Sequence, residues 1–145
     1  MTNPLVPQGS LNRILSAVQV IDHPELNVTA GFFGVRVATI TPEGEASDYI
    51  GTLTGAAPSP RPYQMYSIRF WLNKSQQLAQ VWENQRQQNT TIGDVNVVTD
   101  STVLGAFYFI NCTFLNVEEI NLDGMSNDYP VVIRGTYPIN AALFA

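Results

Sequence analysis

The residues with reactive side chains are few, and they form no catalytic pattern. His23 is the one histidine and stands beside Pro24 in a predicted turn, with no glycine-flanked serine to serve as its nucleophile. A Ser-His-Asp triad needs a histidine held against such a nucleophile, and zinc needs several Cys or His ligands. Cys112 is the only cysteine and lies in an apolar run, which predicts a small buried core residue. The sequence therefore predicts no enzyme, no metal site and no cofactor.

Carboxylates are the remaining groups with possible chemistry. They cluster at Glu118-Glu119 and at Glu43, Glu45 and Asp48. A glycosidase needs two carboxylates that face each other across a cleft, and the spacing alone leaves that open. The plainer interpretation is a solvated acidic face. No glycine-rich phosphate loop is present.

The chain has few charged residues, and acidic residues outnumber basic ones. Seven Lys and Arg residues stand against twelve Asp and Glu, for a net charge of −5, and the basic residues form no run. A surface that grips nucleic acid shows a basic patch, so this class is disfavoured. Charged residues make up only 13% of the chain, about half the usual quarter. Because charge is depleted at interface cores, the composition favours a subunit covered by other subunits over an amide-rich monomer.

The stretch Tyr63–Asn89 organises the predicted fold. Its first half alternates like a strand, with Tyr66, Ile68, Phe70 and Leu72 on one face. Its second half changes to helical spacing, with a narrow apolar stripe and an outer face rich in Gln and Asn; the stripe is Leu78, Val81, Trp82 and Gln85. Ser75 is the predicted N-cap.

The other segments are predicted to be strands and loops of a single domain spanning residues 1–145. Segments 28–41 and 46–54 are expected to pair as a hairpin, with Phe33, Val35 and Val37 on one face. The proline-rich segment 55–62 is expected to be a projecting loop, because proline cannot donate to a sheet ladder. Residues 1–10 are predicted to be an extended arm, and residues 141–145 an apolar tail.

One long strand, 104–122, shows a reversal of its alternation after Phe114, which predicts a β-bulge there. The reversal at Glu118-Glu119 predicts a second bend, with Ile120 and Leu122 on the apolar face. No run approaches 18 apolar residues, and the first ten residues do not have the pattern of a signal peptide. The predicted fold class is mostly β: an antiparallel β-barrel or sandwich with one flanking α-helix.

Four segments together resemble the tail tube proteins of contractile-tailed bacteriophages. They are the opening MTNPLVPQGSLNR, PELNVTA at Pro24–Ala30, PYQM at Pro62–Met65 after the proline-rich loop, and VVIRGTYPIN at Val131–Asn140. They occur in order over most of the chain. None is a catalytic fingerprint, so the resemblance depends on the set.

The resemblance implies a structural role in a virion. Subunits of that family form hexameric rings, and the rings stack into a hollow tube inside a contractile sheath. The implied partners are further copies of the chain, the sheath protein and the tape measure protein. DNA would pass through an acidic lumen without specific binding, and no membrane would be involved. The implied location is the phage tail, assembled in the host cytoplasm.

The residue patterns and the resemblance together suggest contact residues. Glu118 and Glu119 are expected to face the lumen. The proline-rich loop is expected to contact the next ring through Pro58, Ser59, Pro60 and Arg61. The outer face of the helix, with Gln80 and Gln87, is expected to meet an adjacent subunit or the sheath.

Two alternatives remain open at the sequence level. One is the ring protein of a type VI secretion system or another contractile injection system, which shares the fold. The other is a small-ligand-binding β-barrel, which would have a deep apolar pocket and remain a monomer.

Overall fold

The computed structural model describes residues 5–144. Their regular elements are eight strands and one α-helix, in this order: β1 (Ala17–Val20), β2 (Phe33–Glu43), β3 (Ser47–Gly51), β4 (Ala56–Pro60), β5 (Tyr63–Asn73), α1 (Gln77–Gln88), β6 (Thr91–Val98), β7 (Ala106–Val117) and β8 (Asp128–Pro138). Two short 3₁₀ turns, Pro24–Leu26 and Ala30–Phe32, precede β2.

Six strands form one antiparallel sheet in the order β1-β6-β7-β8-β5-β2, and β3 and β4 form a separate two-stranded hairpin. The larger sheet curls into a half-barrel. The predicted fold class, mostly β with a single α-helix, is therefore confirmed. Among residues 5–144, no helix is long and apolar enough to cross a membrane.

Strand β5 lies inside the sheet and has the predicted alternation. Ile68, Phe70 and Leu72 are fully buried, whereas Arg69 points to the opposite face and is exposed. β5 pairs with β2 on one side and with β8 along its full length on the other. The strand thus joins the apolar faces of its neighbours into one core.

Helix α1 covers one end of this core. Leu78 and Trp82 are buried, and Val81 is half-buried against the same cluster. The Trp82 indole donates a hydrogen bond to the carbonyl oxygen of Leu26 at 3.1 Å, and its ring centroid lies 5.1 Å from that of Phe70. The predicted apolar stripe is therefore the packing face of the helix.

The predicted N-cap of the helix is wrong. α1 begins after Gln76, and no side chain caps it. The Ser75 hydroxyl donates instead to Oδ1 of Asn73 at 2.6 Å. The hydroxyl of Ser75 therefore stabilises the turn before the helix and does not cap the helix. Asn73 competes successfully for the hydroxyl because short polar side chains bond readily within such turns.

The proline-rich segment is a strand rather than a loop. Pro58 and Pro60 occupy alternate positions of β4, opposite Tyr49 and Ser47 of β3. The residues that alternate with these prolines form the backbone hydrogen bonds across the hairpin. For example, the Arg61 N–H donates to the carbonyl of Ala46. Because N–H groups alternate sides along a strand, both prolines direct their donor-less nitrogens to the open edge, where no ladder bond is lost.

The predicted pairing of segment 28–41 with segment 46–54 is also wrong. β2 pairs with β5, as in the register of Ile40 opposite Ile68, and β3 pairs with β4. β5 has a continuous apolar face, and β2 enlarges that buried face when it pairs beside β5. Tyr49 and Ile50 of β3 are both exposed, so β3 has no buried face to place beside β2.

Val35 was predicted to share a face with Phe33, which is buried, but Val35 is 89% exposed. The register of β2 shifts between Phe33 and Ala38, while their partners on β5 are only two residues apart. The extra residues bulge out of the sheet, and the guanidinium of Arg36 lies 5.3 Å from the ring centroid of Trp71. The bulge reverses the alternation on which the prediction relied.

Strand β7 has the predicted bulge, since its register with β8 shifts between Phe114 and Asn116. A further shift surrounds Asn111, whose φ is +52°. The strand ends at Val117, however, and Ile120 and Leu122 lie on an exposed loop. Their predicted place on a buried strand face is therefore wrong, because the chain leaves the sheet before the second reversal.

At the termini, residues 5–10 are exposed and have no regular structure, and residues 141–144 are an exposed turn. The rest of the predicted arm, residues 1–4, and the last residue of the tail lie outside the described residues. After the exposed N-terminal residues, the first regular element is β1 at Ala17–Val20.

Candidate functional site

The β3–β4 hairpin is anchored at its base by a cluster of hydrogen bonds. The Arg61 guanidinium donates from Nε and Nη2 to the two Asp48 carboxylate oxygens, at 2.8 and 3.1 Å. The Asn140 amide donates to the carbonyl oxygens of Arg61 (2.8 Å) and Ala46 (3.4 Å). Strand β8 thus ends on the hairpin and holds both of its strands, so the hairpin is rigid where it leaves the half-barrel.

The tip of this hairpin is apolar and open to solvent. Leu53 is fully exposed, and Tyr49 and Ile50 are 76% and 59% exposed. No charged residue occurs between Asp48 and Arg61. Sequence reasoning missed these three residues, and the uncharged run was the available signal. An uncharged apolar projection of this kind marks an interaction surface.

The predicted contact residues of the proline-rich segment all belong to the hairpin. Pro58 and Arg61 are exposed, and Ser59 and Pro60 are half-buried against the sheet base. Arg61 is occupied by Asp48, so its role in the isolated chain is to hold the hairpin. The open edge of β4, with its prolines, remains accessible.

The predicted contact residues on α1 lie far from the hairpin. Gln80 and Gln87 are exposed; their amides donate to Asn84 Oδ1 at 2.9 Å and to Glu83 Oε1 at 3.2 Å. The hairpin precedes β5 and the helix follows it, and β5 has eleven residues. At about 3.3 Å per residue, β5 spans roughly 35 Å, and the hairpin and the helix adjoin opposite ends of that strand.

Helix α1 is fixed to the sheet by a polar cluster around Glu83. Arg86 donates from Nε to Glu83 Oε2 at 3.0 Å, and the Tyr129 hydroxyl donates to the same carboxylate. The Arg86 hydrogen bond, helped by those of Tyr129 and Gln87, lowers the pKa of Glu83 to about 2. This carboxylate is therefore charged at neutral pH and acts as a structural anchor.

Glu118 does not present a free negative charge. Its Oε1 lies 2.6 Å from Nη2 of Arg69, on the sheet face opposite the core, which we call the outer sheet face. Glu119 is exposed and forms no ion pair with the described residues. Of the two predicted lumen residues, the structure therefore leaves one carboxylate unpaired.

A second ion pair lies on the outer sheet face. Arg134 Nη2 lies 2.9 Å from Glu43 Oε2, and the Ser67 hydroxyl donates to the other oxygen of that carboxylate. The Ser67 hydrogen bond and the Arg134 charge hold the pKa of Glu43 below its usual value. Arg69 and Arg134 on this face are thus each matched by a carboxylate.

Two further arginines form ion pairs elsewhere on the chain, Arg61 with Asp48 and Arg86 with Glu83. Arg36 lies over the Trp71 ring and Lys74 donates to the carbonyl of Asn121, so these two cations keep their charge. Four of the seven basic residues are thus neutralised by a carboxylate, and binding to phosphates depends on Lys and Arg that are free to make contact.

An apolar groove opens between the two edges of the half-barrel. Its volume is 390 Å³. Residues from β2, β6, β7 and the loop before β7 line it: Ala38, Ile40, Pro42, Val97, Leu104 and Phe107. Leu104 is 64% exposed, so the groove is accessible to an apolar group from outside.

Metal-binding groups and the single thiol complete the description of the side chains. No group of three or more His, Cys, Asp or Glu side chains among residues 5–144 is placed to hold a metal ion. Cys112 is buried in the core, as predicted, and burial raises the pKa of its thiol to about 12. No family model matches the chain, and no curated protein matches it either. The hairpin, the helix face, the outer sheet face and the groove are therefore the features on which a functional argument rests.

Proposed function

We propose that this protein is the structural subunit of a tube: hexameric rings that stack into the inner tube of a contractile phage tail and conduct DNA. The sequence resemblance to tail tube proteins suggests this role. Its proposed partners are further copies of itself, the sheath protein and the tape measure protein. Its proposed location is the virion.

The observation that carries the proposal is the open half-barrel. β1 and β2 are the end strands of the six-stranded sheet, and β2 is eleven residues long. Unpaired edges promote association with other chains, and closing a ring removes them. Beyond the bulge at Gly34–Val37, the stretch Ala38–Glu43 remains regularly paired with β5 on its inner side and has its other side open to a neighbouring copy.

The electrostatics of the outer sheet face also support the proposal. Arg69 and Arg134 are each paired with a carboxylate, and the chain has a net charge of −5. If this face lines the lumen, DNA passes a surface on which Arg69 and Arg134 are each neutralised by a carboxylate. Such a surface lets a polyanion move without strong retention.

The apolar groove favours one second candidate, a small-ligand-binding β-barrel. Its 390 Å³ falls within the range of about 300–1,000 Å³ for ligand pockets. A barrel of that class functions as a monomer, so the assembly state separates the two candidates. A ring protein of another contractile injection system would assemble in the same way, and its sheath and neighbouring genes would distinguish it.

Light scattering after size exclusion, over a range of protein concentrations, tests the proposal. Six copies of 16.0 kDa form a ring of 96 kDa, and larger species should appear as rings stack. A single 16.0 kDa species at every concentration would refute the tube and favour the ligand-binding candidate.

A further inference from the structure

We propose that the tip of the β3–β4 hairpin of one copy inserts into the apolar groove of a second copy of this chain. The occupant of the groove is thus the side chain of Leu53, at the turn of the hairpin. The inference deepens the proposed function, on which it rests, by assigning both halves of a contact between copies.

The chemistry of the tip requires an uncharged acceptor. Its three large apolar side chains are exposed, and the nearest charged residues in sequence, Asp48 and Arg61, are paired with each other at the base. A charged surface would lose hydration against this tip without gaining a partner. The tip therefore fits an apolar concavity.

The groove provides a concavity of matching size and character. Its lining is apolar at Ala38, Ile40, Val97 and Phe107, with Asp100 as its only charged residue. A volume of 390 Å³ is within the range of pockets that hold entire small ligands, which is ample for a leucine side chain.

The hairpin has the reach and rigidity for a contact with another molecule. From Ser47 to Leu53 an extended strand covers about 20 Å, at roughly 3.3 Å per residue. Asn140 and the Arg61–Asp48 pair fix its base, so little conformational freedom remains to be lost on docking. Within its own chain Leu53 packs on nothing, since its side chain is fully exposed.

The contact has a directional consequence. Tip and groove are different surfaces of the same chain, so their contact is heterologous, and each copy offers one donor and one acceptor. Heterologous contacts propagate into closed rings or open helical stacks. A tip-to-groove contact therefore accounts for assembly without a separate nucleating partner.

Disulfide trapping tests the contact directly. The chain carrying both Leu53→Cys and Leu104→Cys should form a ladder of covalent oligomers under mild oxidation, because every copy then links to the next. Either single variant should remain uncrosslinked, and a mixture of the two single variants should stop at dimers. Cys112 is fully buried and does not interfere.

The control pair is Leu53→Cys with Leu122→Cys, because Leu122 is also exposed (89%) but lies on the loop after β7. A ladder from the groove pair alone supports the inference. Rings or tubes that form without that ladder overturn it while leaving the proposed function standing. Dimers from Leu53→Cys alone would show a tip-to-tip contact and also overturn it. A strictly monomeric native chain overturns both proposals.

Assembly measurements give an independent readout. Leu53→Asp and Leu104→Asp should each raise the protein concentration needed for assembly by at least about tenfold, since a charge then enters the apolar contact. The double variant should be little worse than either single one, because both changes remove the same contact. Additive effects, or assembly at the native concentration, would contradict a shared contact. Leu122→Asp serves as the matched control.

Discussion

At the scale of single residues, Trp82 has the largest structural role. Its side chain is fully buried, donates to Leu26 and packs on Phe70 and Phe114. Trp82→Ala should therefore lower the free energy of unfolding by about 3–5 kcal/mol, as measured by urea denaturation.

Trp71, the other tryptophan, provides the matched control. It is half-buried on the outer sheet face and contacts Arg36. Trp71→Ala should cost distinctly less than Trp82→Ala, because a partly exposed ring leaves no sealed cavity. Equal losses would mean that the helix does not close the core.

Glu83 predicts a pH dependence of stability. Its pKa is lowered from 4.5 to about 2 in the folded chain, so the unfolded chain takes up a proton first as the pH falls. The stabilisation is thus present above about pH 4.5 and is lost between there and pH 2. Because the carboxylate is partly exposed, we expect about 1–2 kcal/mol.

Denaturation of native protein and Glu83→Gln at pH 7 and at pH 3 measures this contribution. The variant should be less stable at pH 7, and the gap should narrow at pH 3. Glu119→Gln is the matched control, since Glu119 is exposed and forms no ion pair with the described residues. A gap that persists unchanged at pH 3 would rule out the ionised carboxylate as the source.

At the scale of elements, α1 presents an amide-rich face to a proposed neighbour. Gln80→Lys adds a charge to this face, and Glu83 lies one turn away, so the helix itself gains a favourable pair. We expect weaker assembly by sedimentation velocity with an unchanged free energy of unfolding. Gln87→Glu is a poorer test, because its carboxylate would face Glu83, to which Gln87 now donates. Unaltered assembly of Gln80→Lys would exclude this face as a contact.

The hairpin depends on Asn140, whose φ of +55° suits glycine as well as asparagine. Asn140→Gly keeps that backbone conformation and removes the amide bonds to Arg61 and Ala46. Hydrogen exchange at the Arg61 amide, which bonds to the Ala46 carbonyl, should accelerate severalfold. The amide of Ile133 in the middle of β8 should not change; acceleration at both sites would indicate a global loss of stability instead.

Local sequence signals predicted some elements and failed for others for physical reasons. The alternation of β5 and the stripe of α1 were readable because each has one buried face. The pairing of the strands could not be predicted, because a strand pairs where it extends the apolar face of its neighbour, and β3 has no buried apolar face. Proline argued against a strand at β4, because the sequence does not show that its nitrogens face an open edge. The groove is also invisible in sequence, since Ala38, Val97 and Leu104 come from three separate segments.

At the scale of the whole molecule, the open half-barrel, the apolar hairpin and the paired cations are consistent with one role. Glu118 and Glu43 neutralise Arg69 and Arg134 on the outer sheet face. The free edges and the exposed hairpin lie elsewhere on the chain. In the proposed tube, the outer sheet face would meet DNA, and the free edges and the hairpin would bind further copies of the chain.

Negative-stain electron microscopy of the purified native chain tests this central claim most directly. The account predicts six-fold rings in end views and stacked rings with a continuous central channel in side views, both increasing with protein concentration. Fields of single 16.0 kDa particles at every concentration, with no rings and no tubes, would contradict it.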